Sequence, residues 1–134
     1  MVKICILEDS ENDTISRYSF LTQTPHEVQV VLDENILFSL GRTYKDRVQR
    51  AVTSQLSEAG FNSDNIRYGF DNIPTDAFIY FCDGLEGKCL DLADKLGREK
   101  VYINTGDLDL KKIARERGLI VVDKSIKDIV SELK

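Results

Sequence analysis

A chain of 134 residues, 42% apolar and 31% charged, has material for one hydrophobic core and not for two. Its net charge of −5, with Lys and Arg interleaved among Asp and Glu, excludes a basic domain built to displace counterions from nucleic acid. Neither a leader peptide nor a membrane-spanning stretch is read from the apolar pattern, so a single α/β domain over residues 1–134 is expected, in the cytoplasm, without a membrane partner.

The cysteines Cys5, Cys82 and Cys89 are odd in number, and two of them lie in apolar runs. They read as buried thiols in a reducing compartment. With one histidine, His26, and no cysteine pair at ligand spacing, a thiolate–imidazole metal site is not expected, and no cofactor is assigned.

Along the chain, Val2 to Leu7 is a continuous apolar run that suits a buried strand. The acidic, polar stretch from Glu8 to Asp13 follows, and can begin a helix or form a loop; Ile15 to Leu21 has no clean period. Val28, Val30 and Leu32 alternate with polar neighbours, and Ile36, Phe38 and Leu40 do so again beyond Asp33-Glu34-Asn35. This pattern is read as a β-hairpin; a strand followed directly by a helix from near Asn35 is the competing reading. Tyr44, Val48, Ala51, Val52, Leu56 and Ala59 fall on one helical face, with Gly60 placed to end the helix in a left-handed turn.

The remainder is rhythmic. A short strand is expected at Ile66 to Phe70 and another at Ala77 to Cys82. A helical stripe of Leu85, Cys89, Leu92, Ala93 and Leu96 then closes at Gly97. Val101 to Ile103 and Leu119 to Val122 read as strands, with Leu110, Ile113 and Ala114 on a helix between them. Ser125-Ile126-Lys127-Asp128 resembles a capping box ahead of a last apolar face. Alternating strands and helices with short links imply right-handed crossovers, a mainly parallel sheet and a Rossmann-like three-layer α/β/α fold.

Ligands of open parallel sheets bind beyond the carboxyl ends of the strands. The residues there are Glu8 and Asp9, Asp83 to Gly87, Asn104 to Asp107, and Asp123 to Ser125. In Asp83-Gly84-Leu85-Glu86-Gly87-Lys88, two glycines let backbone amides approach an anion at a helix start, although a tight turn alone also needs glycine. The segment is neither a P-loop nor G-x-G-x-x-G. The ligand-binding set expected is Arg42, Asp83, Gly84, Gly87, Lys88 and Thr105.

Gly84-Leu85-Glu86-Gly87 with Asp91 and Ala93, and the upstream Gly41-Arg42-Thr43-Tyr44, resemble the SLOG superfamily of Rossmann-like domains. That resemblance implies binding of a nucleotide or nucleotide-derived ligand, with Asp83 standing where those domains usually carry glycine. A second set resembles response-regulator receiver domains: Glu8-Asp9 as the metal-binding acidic pair, Asp83 as phospho-acceptor, and Thr105 and Lys124 as the switch hydroxyl and lysine. Here the interval from Asp9 to Asp83 is longer than a receiver has. The leading expectation is non-catalytic binding of a nucleotide-derived small molecule at the carboxyl edge of the sheet. The alternatives are a receiver-like phospho-switch, a small enzyme acting on an N-glycosidic bond through Asp83 or Glu86, and a protein-interaction or self-associating module using Ile36, Phe38 and Leu40.

Overall fold

Residues 3–8 extend because their apolar run can be buried on both faces of a sheet, and residues 4–8 are wholly inaccessible to solvent. The structure, a computed structural model, describes residues 1–34 and 44–133. Its strands are β1 (Lys3–Glu8), β2 (Glu27–Leu32), β3 (Ile66–Tyr68), β4 (Ile79–Cys82), β5 (Val101–Ile103) and β6 (Ile120–Val121). The helices are α1 (Glu11–Tyr18), α2 (Lys45–Glu58), α3 (Lys88–Leu96), α4 (Leu108–Glu116) and α5 (Ile126–Ser131). The six strands form one sheet in the order β3-β2-β1-β4-β5-β6, and every pairing is parallel.

Alternation along each strand divides the core into two layers. Ile4, Ile6, Val30, Leu32, Ile79 and Phe81 point to one side, where Tyr18, Val52, Leu56, Ile129 and Val130 cover them. Cys5, Leu7, Val31, Tyr80 and Cys82 point to the other, against Leu85, Cys89, Ala93, Leu110 and Ala114. Helices α1, α2 and α5 therefore lie on one face and α3 and α4 on the other. The expected three-layer, Rossmann-like α/β architecture is the observed one, with a sheet that is parallel throughout.

Several expectations are refined. The unplaced stretch after Asp9 becomes α1, begun by Ser10, whose hydroxyl accepts from Asp13 N at 3.2 Å. Thr14 escaped the periodicity because it is polar, yet it is fully buried, its hydroxyl donating to Ser10 O at 2.8 Å. The buried stripe of α2 is narrower than predicted: Val52 and Leu56 are buried, whereas Tyr44 and Ala51 are exposed. Gly60 does end that region with φ +106°. Ser125 precedes α5, but its hydroxyl makes no capping bond.

Strand β2 is hydrogen-bonded on both sides over Val30–Leu32, to β1 and to β3. The second arm of the expected hairpin, with Ile36, Phe38 and Leu40, lies outside the described residues. Burial pushes the thiol of Cys5 up to about 12 and that of Cys89 to about 11, and raises Cys82 as well. All three thiols are free and buried, packed in the core as small apolar residues are. Among the described residues no helix is long and apolar enough to cross a membrane.

Candidate functional site

The crossover connections run outward in both directions from β1 and β4, which are neighbours; this is the switch point at which a doubly wound sheet opens a crevice. Register fixes what stands there. Leu7 pairs with Cys82 and Glu8 with Leu32, so the next positions, Asp83 and Asp33, flank the end of β1. The backbone bonds continue the ladder: Asp83 N donates to Leu7 O and Asp33 N to Glu8 O, each at 2.9 Å.

Side-chain parity then sorts these acids between the two faces. Glu8 follows Ile4 and Ile6, and Asp83 follows Ile79 and Phe81, toward α1. Asp33 follows Val31 toward the opposite layer. Arg17 reaches in from α1, its Nη1 lying 3.3 Å from Asp83 Oδ1 and 3.5 Å from Glu8 Oε2. Lys88, at the start of α3, instead pairs with Asp33, Nζ to Oδ2 at 2.9 Å. The sheet thus separates two residues of the expected ligand-binding set: Lys88 is held by Asp33, and Asp83 faces Glu8 and Arg17.

Glu8, Asp9 and Asp83 each offer a carboxylate oxygen, and the three oxygens lie within 4.8 Å of one another. Glu8 is fully buried. Burial pushes its carboxyl up to about 8, and the nearby charge of Asp83 adds to the rise, outweighing Arg17 and the bond from Asp9 N at 3.2 Å. The guanidinium contacts are single-nitrogen and long, weaker than a bidentate pair at 2.7–2.9 Å, which is why one arginine does not balance this acidity. A hard divalent cation, which takes oxygen ligands and inverts the local charge, matches the donor set.

Asp83 also shapes the turn behind it. Its Oδ2 accepts from Leu85 N at 3.2 Å. Leu85 and Glu86 have φ of +51° and +56°, and Gly87 continues at +97°. Two consecutive non-glycine residues in the left-handed region cost of order 1 kcal/mol each or more. Leu85, buried to 3% exposure, holds the turn against the core. Gly87 is required by its φ alone, since a Cβ there would meet nothing within 4 Å.

Gly84 is required by space. A Cβ on Gly84 would fall 2.7 Å from Thr105 Oγ1 and 2.8 Å from Leu110 Cδ2. Gly84→Ala is expected to destabilise the fold by about 1–3 kcal/mol, as overpacking does. Urea unfolding checks this, and an unchanged midpoint would show that Thr105 and Leu110 yield freely. Thr105 otherwise accepts from Asp107 N at 3.2 Å, ahead of α4, whose start Asp107 caps through Leu110 N at 3.1 Å.

Of the expected ligand-binding set, Asp83, Gly84 and Thr105 come together at the ends of β4 and β5, Gly87 lies in the strained turn, and Lys88 pairs on the other face. Arg42 lies outside the described residues. Sequence reasoning missed Arg17, which sits among the residues that showed no clean period. The available signal was Ser10, a cap that starts a helix and carries Arg17 back over the end of β1. Asn104, next to Thr105, donates through Nδ2 to the buried Tyr18 hydroxyl at 2.9 Å and ties the end of β5 to α1. Comparison of the chain with protein-family models, with curated proteins and with solved structures found no match.

Proposed function

We propose that this protein binds a nucleotide or nucleotide-derived small molecule at the carboxyl edge of its sheet through a divalent cation held by Glu8, Asp9 and Asp83. The observation that carries the reading is the meeting of these three carboxylates at the switch point between β1 and β4. Asp83 by itself would repel a phosphate. A cation bridging carboxylate and phosphate oxygens reverses that sign, and Mg²⁺ commonly binds through one or two carboxylates plus phosphates. Fold analogy adds little to this, since one architecture hosts many functions.

The test is a thermal-shift screen with mono-, di- and cyclic nucleotides and ADP-ribose-type compounds, each with Mg²⁺ and with EDTA. A ligand at one hundred times its dissociation constant should stabilise the protein by about 2.7 kcal/mol. The stabilisation is expected to be larger with Mg²⁺ than in EDTA, and that gain should vanish in Asp83→Asn. Stabilisation equally large in EDTA, or none with any nucleotide, would contradict the reading.

A receiver-like phospho-switch is supported by one further observation. Without the short edge strand β3, the order is β2-β1-β4-β5-β6, which is the receiver-type order 2-1-3-4-5. In that reading the Asp83 carboxylate attacks the phosphorus of acetyl phosphate, the acyl phosphate forms and acetate leaves. Lys124, the candidate switch lysine, instead pairs with Glu132 at 3.1 Å. Labelling of Asp83 from acetyl phosphate with Mg²⁺ that hydroxylamine releases, and that is absent in Asp83→Asn, would favour the switch over the binding protein.

A further inference from the structure

On the same face as Glu8 and Asp83, between α1, the end of β5 and the start of α5, lies a cavity of about 650 Å³. Such a volume falls within the roughly 300–1,000 Å³ of small-molecule sites. Its chemistry is opposite to that of the carboxylates beside it. Arg17 and Lys127 supply positive charge; Ser125, Thr105 and Asn104 supply hydroxyl and amide groups; and Phe20 supplies an aromatic wall. Lys127 Nζ lies 5.6 Å from the centre of the Phe20 ring, and among the described residues no carboxylate pairs with it. The Ser125 hydroxyl is not engaged in capping α5.

Arg17 belongs to both places. It lines the cavity, and its guanidinium is held at 3.3 and 3.5 Å by Asp83 and Glu8. We infer that this cavity takes the phosphate-bearing part of an organic phosphate, and that Arg17 couples its occupancy to that of the adjacent carboxylates. The inference rests on the cation reading above and extends it. A cation that occupies the carboxylate oxygens of Glu8 and Asp83 removes what holds Arg17, and the guanidinium becomes available to an anion in the cavity. By linkage, an anion that draws Arg17 away raises the affinity for the cation by the same factor. A phosphate alone fills a small part of this volume, so the ligand's organic part packs on Phe20.

Backbone amide spectra of the ¹⁵N-labelled full chain separate the two sites. Mg²⁺ is expected to shift Asp9 and Gly84. Inorganic phosphate is expected to shift Gly106, Ser125 and Lys127, with an affinity that rises about fivefold or more when Mg²⁺ is present. In Arg17→Gln the Mg²⁺ shifts should remain while the gain in phosphate affinity disappears. Lys127→Ala should weaken phosphate binding with and without Mg²⁺. A nucleoside 5′-monophosphate should bind more tightly than phosphate; equal affinity would overturn the packing of an organic part on Phe20. If Mg²⁺ shifts Asp9 and Gly84 but phosphate leaves Gly106, Ser125 and Lys127 unmoved, or binds equally well without Mg²⁺, the coupled cavity is overturned and the cation site stands. If Mg²⁺ shifts neither Asp9 nor Gly84, the cation reading itself falls.

Discussion

At pH 9 in EDTA, Glu8→Gln is expected to be more stable than the wild-type protein, by an amount of order a few kcal/mol, since each tenfold change in proton affinity is worth about 1.4 kcal/mol. The direction follows from the displaced carboxyl. Glu8 is raised from an ordinary value of 4.5 to about 8, first by burial and then by the charge of Asp83. The folded protein therefore holds a proton that the unfolded chain has released. That contribution to stability is complete below pH 4.5 and is lost as the pH climbs through about 8. Glutamine stays neutral throughout, and it keeps an oxygen to accept from Asp9 N. Urea midpoints at pH 6 and pH 9 check the sign: the wild-type protein should lose more stability between them than the variant. Equal losses would mean that Glu8 is ionised at neutral pH and well solvated.

The second large effect concerns the cation. Asp83→Asn is expected to weaken Mg²⁺ binding about a hundredfold or more, because loss of a supporting residue one shell further out typically costs 10–100-fold. Asparagine retains an oxygen for Leu85 N, so the turn behind it survives and the loss reports the charge. Binding should also strengthen with rising pH, as the cation displaces the Glu8 proton. Titration calorimetry on both proteins measures this directly. Undiminished affinity in the variant would place the ion away from Asp83.

These effects rest on features that differ in how plainly the sequence displays them. Val101 to Ile103 and the stripe from Cys89 to Leu96 are local patterns, and they were legible as a strand and a helix; Leu85, expected on that helix, instead lies in the left-handed turn before it, with φ of +51°. So were the acids at strand ends, because Glu8 and Asp83 each follow an apolar run. The register between strands was not legible. Only when Leu7 is set against Cys82 does Glu8 meet Asp83, and only parity across β2 sends Asp33 to the other side with Lys88. Gly84 looked like a residue that admits a ligand; its tightness comes from Thr105 and Leu110, more than twenty positions away in the chain. Arg17 stayed hidden because α1 buries a threonine and a tyrosine, Thr14 and Tyr18, and its apolar period is correspondingly faint.

Anomalous diffraction from a crystal soaked in Mn²⁺, with manganese standing in for Mg²⁺, would locate the ion without reference to any ligand. The expected result is a peak bonded to carboxylate oxygens of Glu8, Asp9 and Asp83 at the ends of β1 and β4. Manganese bound only elsewhere, with nothing between these three side chains, would contradict a cation site at the switch point.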